Sequence, residues 1–430
     1  HVNRSLQAKQ EQSIGFVLMG GFRTGMDVEP TKRNWKPVYV IPKSQWGAQT
    51  YMEHYGVYRS LVVGSRHDLD VDDPMNDRQR ISFLKEKGLN PTVIKPNGWP
   101  KFDKGIKDTL AYLYPEAAMM QQADKLQKVL TTYTGPILDH HSVQQPDGSW
   151  KVFGQLNWCN TRTGRLSSSN PNMQNIPARG DMGQELRRIF IASPGWQLWV
   201  GDLAQIELRV LAFLLEHFMS DSFMADAIRD NVDLHSTNCK QFGIPGKTPE
   251  AARSSAKNFI FAFNYGAGKA KLAAMTGLSI DALDMVYETI EKNTKLFQLK
   301  EFVWEQCRSN KGFIHNMFGR RFFLPNINSK DRVKRSEAER QCFNYLIQSM
   351  AGDIFKILKI RLNSEIEQHK WPVRMLLEVH DELIIETHPE FDVTKYVEPI
   401  FNSNDLLKSD NAVVPVGCEF NKGSNWLEAK

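Results

Sequence analysis

The spacing of apolar positions changes along the chain and predicts the order of its elements. Over residues 101–134 apolar residues recur every three or four positions, which is the period of an amphipathic helix. Residues 136–200 mix short apolar runs with turn signals, which predicts strands and loops, and residues 203–310 return to a helical period. Near the end, MLLEVHDELIIE (375–386) predicts two short strands joined at a polar tip.

This order of elements predicts an α+β fold in which helical lobes surround a sheet. Residues 1–100 are rich in turn-forming glycine and proline and predict no particular fold. The chain has 430 residues, whereas single hydrophobic cores stop growing at about 250–300 residues. We therefore expect two or more lobes.

The composition is that of a soluble globular protein, with 41% hydrophobic and 24% charged residues. The five cysteines are scattered and form no CxxC pair, which argues against a disulfide framework or a structural zinc site and favours a reducing compartment. No apolar run reaches the roughly 18 residues of a membrane span, and no signal peptide opens the chain, so no membrane partner is expected. Because the sequence begins with His, we expect a processed or truncated part of a longer protein.

Positive charge is concentrated in two stretches. Residues 311–340 carry eight Lys or Arg and three acids, an excess that equals the net charge of +5 of the whole chain. Residues 151–188 carry six bases and two acids. Basic stretches interleaved with aromatic and amide residues suit a polyanion lying in a groove. Either stretch alone is better explained as a solvated charged face, and it is their position around acidic residues that favours nucleic acid.

Acidic residues stand where metal ligands are common. Asp202 ends the apolar run WQLWVGD, and Asp381 and Glu382 lie at the predicted hairpin tip. If Asp202 and Asp381 converge, they can hold two divalent cations about 3.5–4 Å apart, as in-line phosphoryl transfer requires. Oxygen ligands of this kind favour Mg²⁺. The alternative for Asp381 is an ordinary exposed turn aspartate.

The segment RSSAKNFIFAFNYGAG lies between these acids. Arg253, Lys257, Phe261 and Tyr265 are spaced four apart and so share one broad helix face. Two cations one turn apart can clamp a triphosphate, and the aromatic rings can stack on a base or a sugar. The alternative is an amphipathic helix with two surface cations and two core aromatic residues.

Five blocks of sequence resemble, in order and approximate spacing, the polymerase portion of family A DNA polymerases, the group of bacterial DNA polymerase I and many phage replicative enzymes. The blocks are TGRLSSSNPNMQNIP (163–177), DLAQIELR (202–209), RSSAKNFIFAFNYG (253–266), FGRRFFLPNINSKDRVKRSEAERQCFNYLIQ (318–348) and LEVHDEL (377–383). The resemblance covers roughly residues 101–430, and five ordered blocks are far more specific than one.

The resemblance implies a right-hand polymerase with an antiparallel-sheet palm and a mostly helical thumb and fingers. The thumb and N-terminal region would be 1–145, the palm 146–207 and 347–430, and the fingers 208–346. It implies a DNA-directed DNA polymerase that adds deoxynucleoside triphosphates to a primer 3′-hydroxyl and releases pyrophosphate. Two Mg²⁺ ions would serve as cofactors, with Mn²⁺ as a substitute.

The implied partners are primer–template DNA and deoxynucleoside triphosphates, with unidentified replication accessory proteins. A monomer in the cytoplasm of a bacterial or phage-infected cell is expected, an organelle being the alternative. No segment resembles the 3′–5′ exonuclease domain that often precedes this region, so no proofreading is expected from the chain itself.

Site roles also follow from the resemblance, beginning with catalysis. Asp202 and Asp381 match the metal-binding aspartates, with the Leu203 carbonyl as a further ligand and Glu382 as an accessory carboxylate. Lys257 matches the proton donor to pyrophosphate. Where the family has Tyr-Ser after the first aspartate, this chain has Leu203-Ala204, a change that a backbone-carbonyl ligand tolerates.

The nucleotide-binding positions surround these catalytic ones. Arg253 and Lys257 match the triphosphate clamp, and Glu207, held by Tyr265, matches the steric gate that rejects a 2′-hydroxyl. Phe261 stands where the family discriminates against nucleotides lacking a 3′-hydroxyl. The remaining two positions are Gln205 and His235, and for His235 a helix-surface histidine is the alternative.

The implied DNA contacts use both bases and the backbone. Arg165, Asn344 and Gln348 match minor-groove readers, which sense the purine N3 and pyrimidine O2 acceptors found in every correct pair. Arg340 matches a template contact and His380 a contact near the primer terminus.

Two other hypotheses account for some of the same residues. A single-subunit RNA polymerase shares the His-Asp tip and the Arg/Lys helix, but Glu207 and the QNIP sequence argue against it. A catalytically inactive DNA-binding or processivity subunit has no need to retain Asp202, Asp381, Arg253 and Lys257 together.

Overall fold

The computed structural model describes residues 112, 115–137, 141–232 and 256–430, with short gaps at 147, 159, 179, 258, 261 and 264–265. Four of the predicted site residues lie outside this part of the chain: His235, Arg253, Phe261 and Tyr265. The elements expected before residue 112 lie outside it as well.

The chain divides into two compact units, one of residues 1–155 and 168–190, the other of residues 156–167 and 191–430. In the first unit, helix α1 (Pro115–Val129) continues into a π-helical turn (Leu130–Thr134). A hairpin of β1 (Ser142–Gln144) and β2 (Trp150–Val152) follows. Two further short strands, β3 (Gln155–Asn157) and β4 (Ser167–Ser169), contain the positions at which the chain passes from one unit to the other. Helix α2 (Asp181–Arg188) is the last helix of the first unit in chain order.

The QNIP sequence of the first unit is held by hydrogen bonds to the backbone. It overlaps a 3₁₀ turn, Met173–Asn175, and the N–H of Met173 donates to Ser168 Oγ over 3.0 Å. Arg187, a buried residue of α2, donates to the carbonyls of Ile176 and Pro177. A buried guanidinium needs such acceptors, and here they fix the path of the segment.

The second unit contains most of the described helices and a set of short strands. Its elements are, in chain order, β5 (Gln197–Leu203), α3 (Ile206–Met219), α4 (Phe223–Arg229), α5 (Lys269–Thr276), α6 (Ile280–Asn293), α7 (Leu296–Ser309), β6 (Phe313–His315), β7 (Arg321–Phe323), α8 (Arg332–His369), β8 (Val373–Val379), β9 (Glu382–Thr387), α9 (Val393–Tyr396), α10 (Glu398–Phe401), β10 (Lys408–Ser409), β11 (Ala412–Val413) and β12 (Cys418–Gly423). Residues 256–257, 259–260 and 262–263 are also helical.

A four-stranded antiparallel sheet forms the centre of the second unit, in the order β12-β5-β9-β8. The hairpin predicted over 375–386 is confirmed as β8 and β9. Strand β12, which the sequence pattern did not reveal, pairs with the other side of β5. Gly201 lets β12 approach closely, because a Cβ there would overlap the ring of Phe420.

Helices α3 and α8 supply many of the buried residues of the hydrophobic core, which also contains Leu203 of β5 and Leu383 of β9. In α3, buried residues follow one another almost without interruption from Ile206 to Leu215. The 38-residue helix α8 is N-capped by Asp331, whose carboxylate accepts the N–H groups of Val333 and Lys334. Together these helices and the antiparallel sheet confirm the α+β class.

Helix α8 is continuous through residues 346 and 347, where the predicted border between fingers and palm lies. Among the described helices, none is long and apolar enough to cross a membrane.

Candidate active site

The two aspartates lie at the same end of the central sheet, Asp202 in β5 and Asp381 in the turn that precedes β9. Asp202 is the penultimate residue of β5 and lies directly opposite Glu382, the first residue of β9. The N–H of Leu203 donates to the carbonyl of Asp381 over 3.0 Å, so the residues that follow Asp202 and precede Glu382 are joined as well. Backbone pairing therefore brings together two carboxylates that are distant in sequence.

The turn between β8 and β9 contains two residues, His380 and Asp381, because Val379 and Glu382 are already paired. His380 has a φ of +60°, the left-handed region that usually favours glycine. The sequence interpretation that placed Glu382 at the hairpin tip is therefore wrong. Glu382 starts a strand, and only His380 and Asp381 project as a turn.

Glu382 is held by two residues near the end of the chain. It is only 2% exposed. Trp426 Nε1 donates to Glu382 Oε1 over 2.6 Å, and the Lys430 ammonium forms an ion pair with Glu382 Oε2. Burying a carboxylate costs free energy unless the group is paired and hydrogen-bonded, and these two contacts provide both.

The electrostatic setting of Asp202 reflects all of these neighbours. Partial burial of its carboxyl group raises the pKa of Asp202 above the ordinary value. The Lys430 charge opposes this shift, the charges of Glu382 and Asp381 add to it, and Lys257 opposes it. The arrangement is one of crowded negative charge, which a cation would relieve.

Arg165 provides a cation at this position. Its Nη2 lies 2.8 Å from Glu207 Oε1 and 3.0 Å from Asp381 Oδ1. The three side chains are partly buried, which strengthens their attraction compared with a surface pair. One guanidinium thus connects the predicted steric gate with a predicted metal-binding aspartate.

The backbone next to Arg165 is anchored to α8. The Gly164 carbonyl accepts a hydrogen bond from Lys356 Nζ. Arg320 packs against Gly164 and is itself fixed by Asp353, with Arg320 Nη2 2.6 Å from Asp353 Oδ1. This network holds the start of the TGRLSS segment and, through it, Arg165.

The turn after Asp202 is also fixed, by hydrogen bonds from Arg209. Gln205 has a φ of +51° and precedes α3, which places Glu207 in the first turn of that helix. Arg209 Nε donates to the Ala204 carbonyl over 2.6 Å and Arg209 Nη1 to the Pro415 carbonyl over 2.5 Å. The Arg209 contacts therefore set where α3 begins relative to β5.

Lys257 lies in the helical segment that follows residue 255, and Lys300 of α7 packs against that segment. Lys257 is exposed, and its charge lowers the pKa of Asp202, so the ammonium lies within electrostatic reach of the site. Lys300 of α7 is buried, donates to the Phe263 carbonyl over 3.3 Å and lies 4.0 Å from the centre of the Phe263 ring. Burial lowers the pKa of Lys300 to about 8.

The predicted DNA-contacting residues of α8 form a row. Arg340, Asn344, Gln348 and Gly352 follow one another at four-residue intervals. A Cβ at Gly352 would lie 3.3 Å from Arg165 Cγ, so the row ends where Arg165 crosses the helix. At the other end, Arg340 is exposed and its aliphatic part lies against Gly266.

Among the described residues, the predicted site therefore assembles in one unit. Asp202, Leu203, Glu207, Asp381 and Arg165 lie together, and Lys257 acts on Asp202 electrostatically. Sequence reasoning missed three supporting residues: Arg209, Trp426 and Lys430. For Trp426 and Lys430 the available local signal is the weak apolar–polar alternation at 418–420, which is compatible with strand β12 just before them.

Comparison with known proteins identifies the family. The family model described as DNA polymerase family A matches residues 78–428. The chain belongs to DNA polymerase family A. Membership confirms the resemblance seen in the five sequence blocks.

Two family A relatives show the extent of the likeness. The thermostable DNA polymerase I of Thermus filiformis is 32% identical over 367 residues, which cover 83% of this chain and 42% of that protein. The DNA polymerase I of Pseudomonas aeruginosa is 31% identical over 361 residues, covering 82% of this chain and 38% of that protein. The chain thus spans well under half of the length of these two relatives.

A solved structure supports the fold. The POL domain of Pol1 from M. smegmatis, in complex with DNA primer-template and dNTP, aligns with a TM-score of 0.72 and 25% identity. The alignment covers 89% of this chain and 65% of that one. The family A fold class and the predicted α+β polymerase architecture are confirmed.

Proposed function

We propose that the chain catalyses template-directed DNA synthesis, adding deoxynucleoside triphosphates to a primer 3′-hydroxyl with release of pyrophosphate. The observation that carries the proposal is the meeting of Asp202 and Asp381 at one end of the central sheet. Family membership and the activities named for the relatives, DNA polymerases, support it.

The donor chemistry of this pair fits divalent metal ions of the Mg²⁺ type. Both side chains are carboxylates, the Leu203 carbonyl is adjacent, and the negative charge around Asp202 is crowded. Among the described residues no three His, Cys, Asp or Glu side chains gather as a ready ligand set. Two carboxylates suit Mg²⁺, which takes its other ligands from water and substrate phosphates.

Two ions bound there would activate the primer hydroxyl and stabilise the negative charge that develops on the phosphates. Asp202 and Asp381 would hold them, and Mn²⁺ would serve as a substitute. We assign Lys257 to protonation of pyrophosphate, the role that its match to the family motif implies, and its charge lowers the pKa of Asp202. Glu207 would exclude a 2′-hydroxyl, and the ion pair with Arg165 restricts where its carboxylate can lie.

The roles of the other residues remain part of the proposal. Arg253, His235, Phe261 and Tyr265 would bind the incoming nucleotide together with Gln205. The row on α8 and Arg165 would read the minor groove, and Arg340 and His380 would contact template and primer. The thumb, palm and fingers would follow the borders predicted from the sequence.

The decisive experiment is primer extension with Mg²⁺ and each of the four deoxynucleotides. We expect Asp202→Ala and Asp381→Ala to lower the rate by about 1,000-fold or more, because each removes a metal ligand. Asp410→Ala, which removes an exposed aspartate elsewhere, is the control and should retain the wild-type rate.

Two results would contradict the proposal. A preference for ribonucleotides over deoxynucleotides would identify an RNA polymerase. Template-dependent binding without any extension by the wild-type chain would identify an inactive DNA-binding subunit.

A further inference from the structure

Glu382 occupies an unusual position for a carboxylate beside a metal site. It lies directly opposite Asp202 on neighbouring antiparallel strands, where like charges repel each other. It is 2% exposed, so water does little to screen that repulsion. Its charge is instead compensated by Lys430 and its orientation is fixed by Trp426.

The segment that supplies these partners is built into the fold. Trp426 and Ala429 are fully buried, and the side chain of Asn425 accepts the N–H groups of Leu427 and Glu428. The backbone near Ala429 passes so close to Gly423, at the end of β12, that a Cβ there would overlap it. The Lys430 side chain is therefore attached to an ordered segment.

The charge of Lys430 also affects the pKa of Asp202. After burial, which raises the pKa of Asp202, the Lys430 charge has the largest influence and lowers that pKa, whereas the Glu382 charge raises it. The charges of Lys430 and Glu382 thus act in opposite directions on the carboxylate that would bind the cation.

We propose that Lys430 is a positioning residue that sets the cation affinity of the Asp202–Asp381 pair by neutralising and orienting Glu382. The inference rests on the proposed function, since it concerns the same metal site. It assigns Glu382 to an ion pair with Lys430 rather than to the cation directly. Removing Lys430 leaves an extra negative charge at the site, whereas removing the Glu382 charge leaves an extra positive one.

The test is Mn²⁺ binding to the intact chain, measured by electron paramagnetic resonance without DNA or nucleotide. The site is defined as the Mn²⁺ that is lost in Asp202→Asn. We expect Lys430→Met to tighten binding at this site by about fivefold and Glu382→Gln to weaken it by about fivefold, the effect of one charge acting on a divalent cation across a partly solvated cleft. The double variant should return to within about twofold of wild type.

Matched variants separate electrostatics from damage to the fold. Lys430→Arg keeps the charge and should bind Mn²⁺ as wild type does. Lys422→Met removes a lysine from β12 opposite Trp199, away from Asp202, and should also leave the affinity unchanged. A local loss of structure would weaken binding in both single variants and would not be rescued in the double variant.

Unchanged or weaker binding in Lys430→Met, with an Asp202-dependent site present in wild type, would overturn this inference and leave the proposed function standing. Mn²⁺ binding that does not depend on Asp202 would overturn the metal site of the proposed function and the role of Lys430 together.

Discussion

Gly164 and Arg165 illustrate how single residues depend on each other at this site. Arg165 connects Glu207 and Asp381, and the backbone next to it is held by the hydrogen bond from Lys356 to the Gly164 carbonyl. Gly164 has a φ of +78°, and a Cβ there would lie 2.5 Å from Arg320 Nη1. The glycine is thus required both for its backbone conformation and for the close approach of Arg320.

We expect Gly164→Ala to lower the free energy of unfolding by about 2 kcal/mol and to reduce the primer-extension rate, because Arg320 must move and Arg165 moves with it. The matched control is Gly195→Ala. Gly195 has a φ of +79° and nothing within 4 Å of its Cβ position, so this variant carries the backbone strain alone. Chemical denaturation measures both variants, and equal destabilisation would rule out the Arg320 contact as the cause.

At the scale of elements, a buried lysine supports the helical segment that carries Lys257. Lys300 extends from α7 to the Phe263 carbonyl and stacks on the Phe263 ring. Burial lowers its pKa to about 8, whereas an unfolded chain has a lysine pKa of about 10.4. The folded state therefore releases this proton at a lower pH than the unfolded state does.

Between about pH 8 and pH 10.4 the unfolded state binds more protons at Lys300, so the contribution of this residue to stability rises with pH. Below pH 8 the cost of burying the charge is fully present. We expect the unfolding free energy of wild type, relative to Lys300→Met, to increase by about 2 kcal/mol from pH 7.5 to pH 10.

Urea denaturation of both proteins across this pH range measures the difference. The control is Lys292→Met, which removes an exposed lysine from α6 and shows how replacing a solvated lysine by methionine changes the unfolding free energy. A difference between wild type and Lys300→Met that stays constant with pH would contradict the assignment.

Strands and helices differ in how much of them the sequence predicts. The β8–β9 hairpin follows from two apolar runs with a polar tip, and α3 from its period. Strand β12 was missed because it is short and half exposed, so its pattern is weak without its partner β5. Glu382 was predicted at the hairpin tip but is the first residue of β9, because the sequence does not distinguish a turn of two residues from one of three.

At the scale of the whole molecule, charge distribution makes the clearest prediction. Six of the eight bases in 311–340 are exposed, so this segment offers positive charge to a polyanion. DNA binding through such residues releases counterions and weakens as salt increases.

We expect the double variant Lys330→Gln, Arg332→Gln to reduce the slope of log affinity for primer–template DNA against log salt concentration by about 1.8, because each phosphate contact contributes about 0.9. The control is the double variant Lys395→Gln, Lys408→Gln, which removes two exposed lysines outside the basic segment. Fluorescence anisotropy at several salt concentrations measures the slopes. Equal slopes in the two double variants would exclude 311–340 as the DNA-binding surface.

The sequence by itself determined the family, the α+β class and the residue types at the site. Those properties are local, since they depend on period, spacing and motif. The tertiary structure alone decided that Arg165 connects Glu207 to Asp381 and that Lys430 compensates Glu382. Such contacts join residues far apart in the chain, and their partners are selected by strand register and helix packing, which no local pattern encodes.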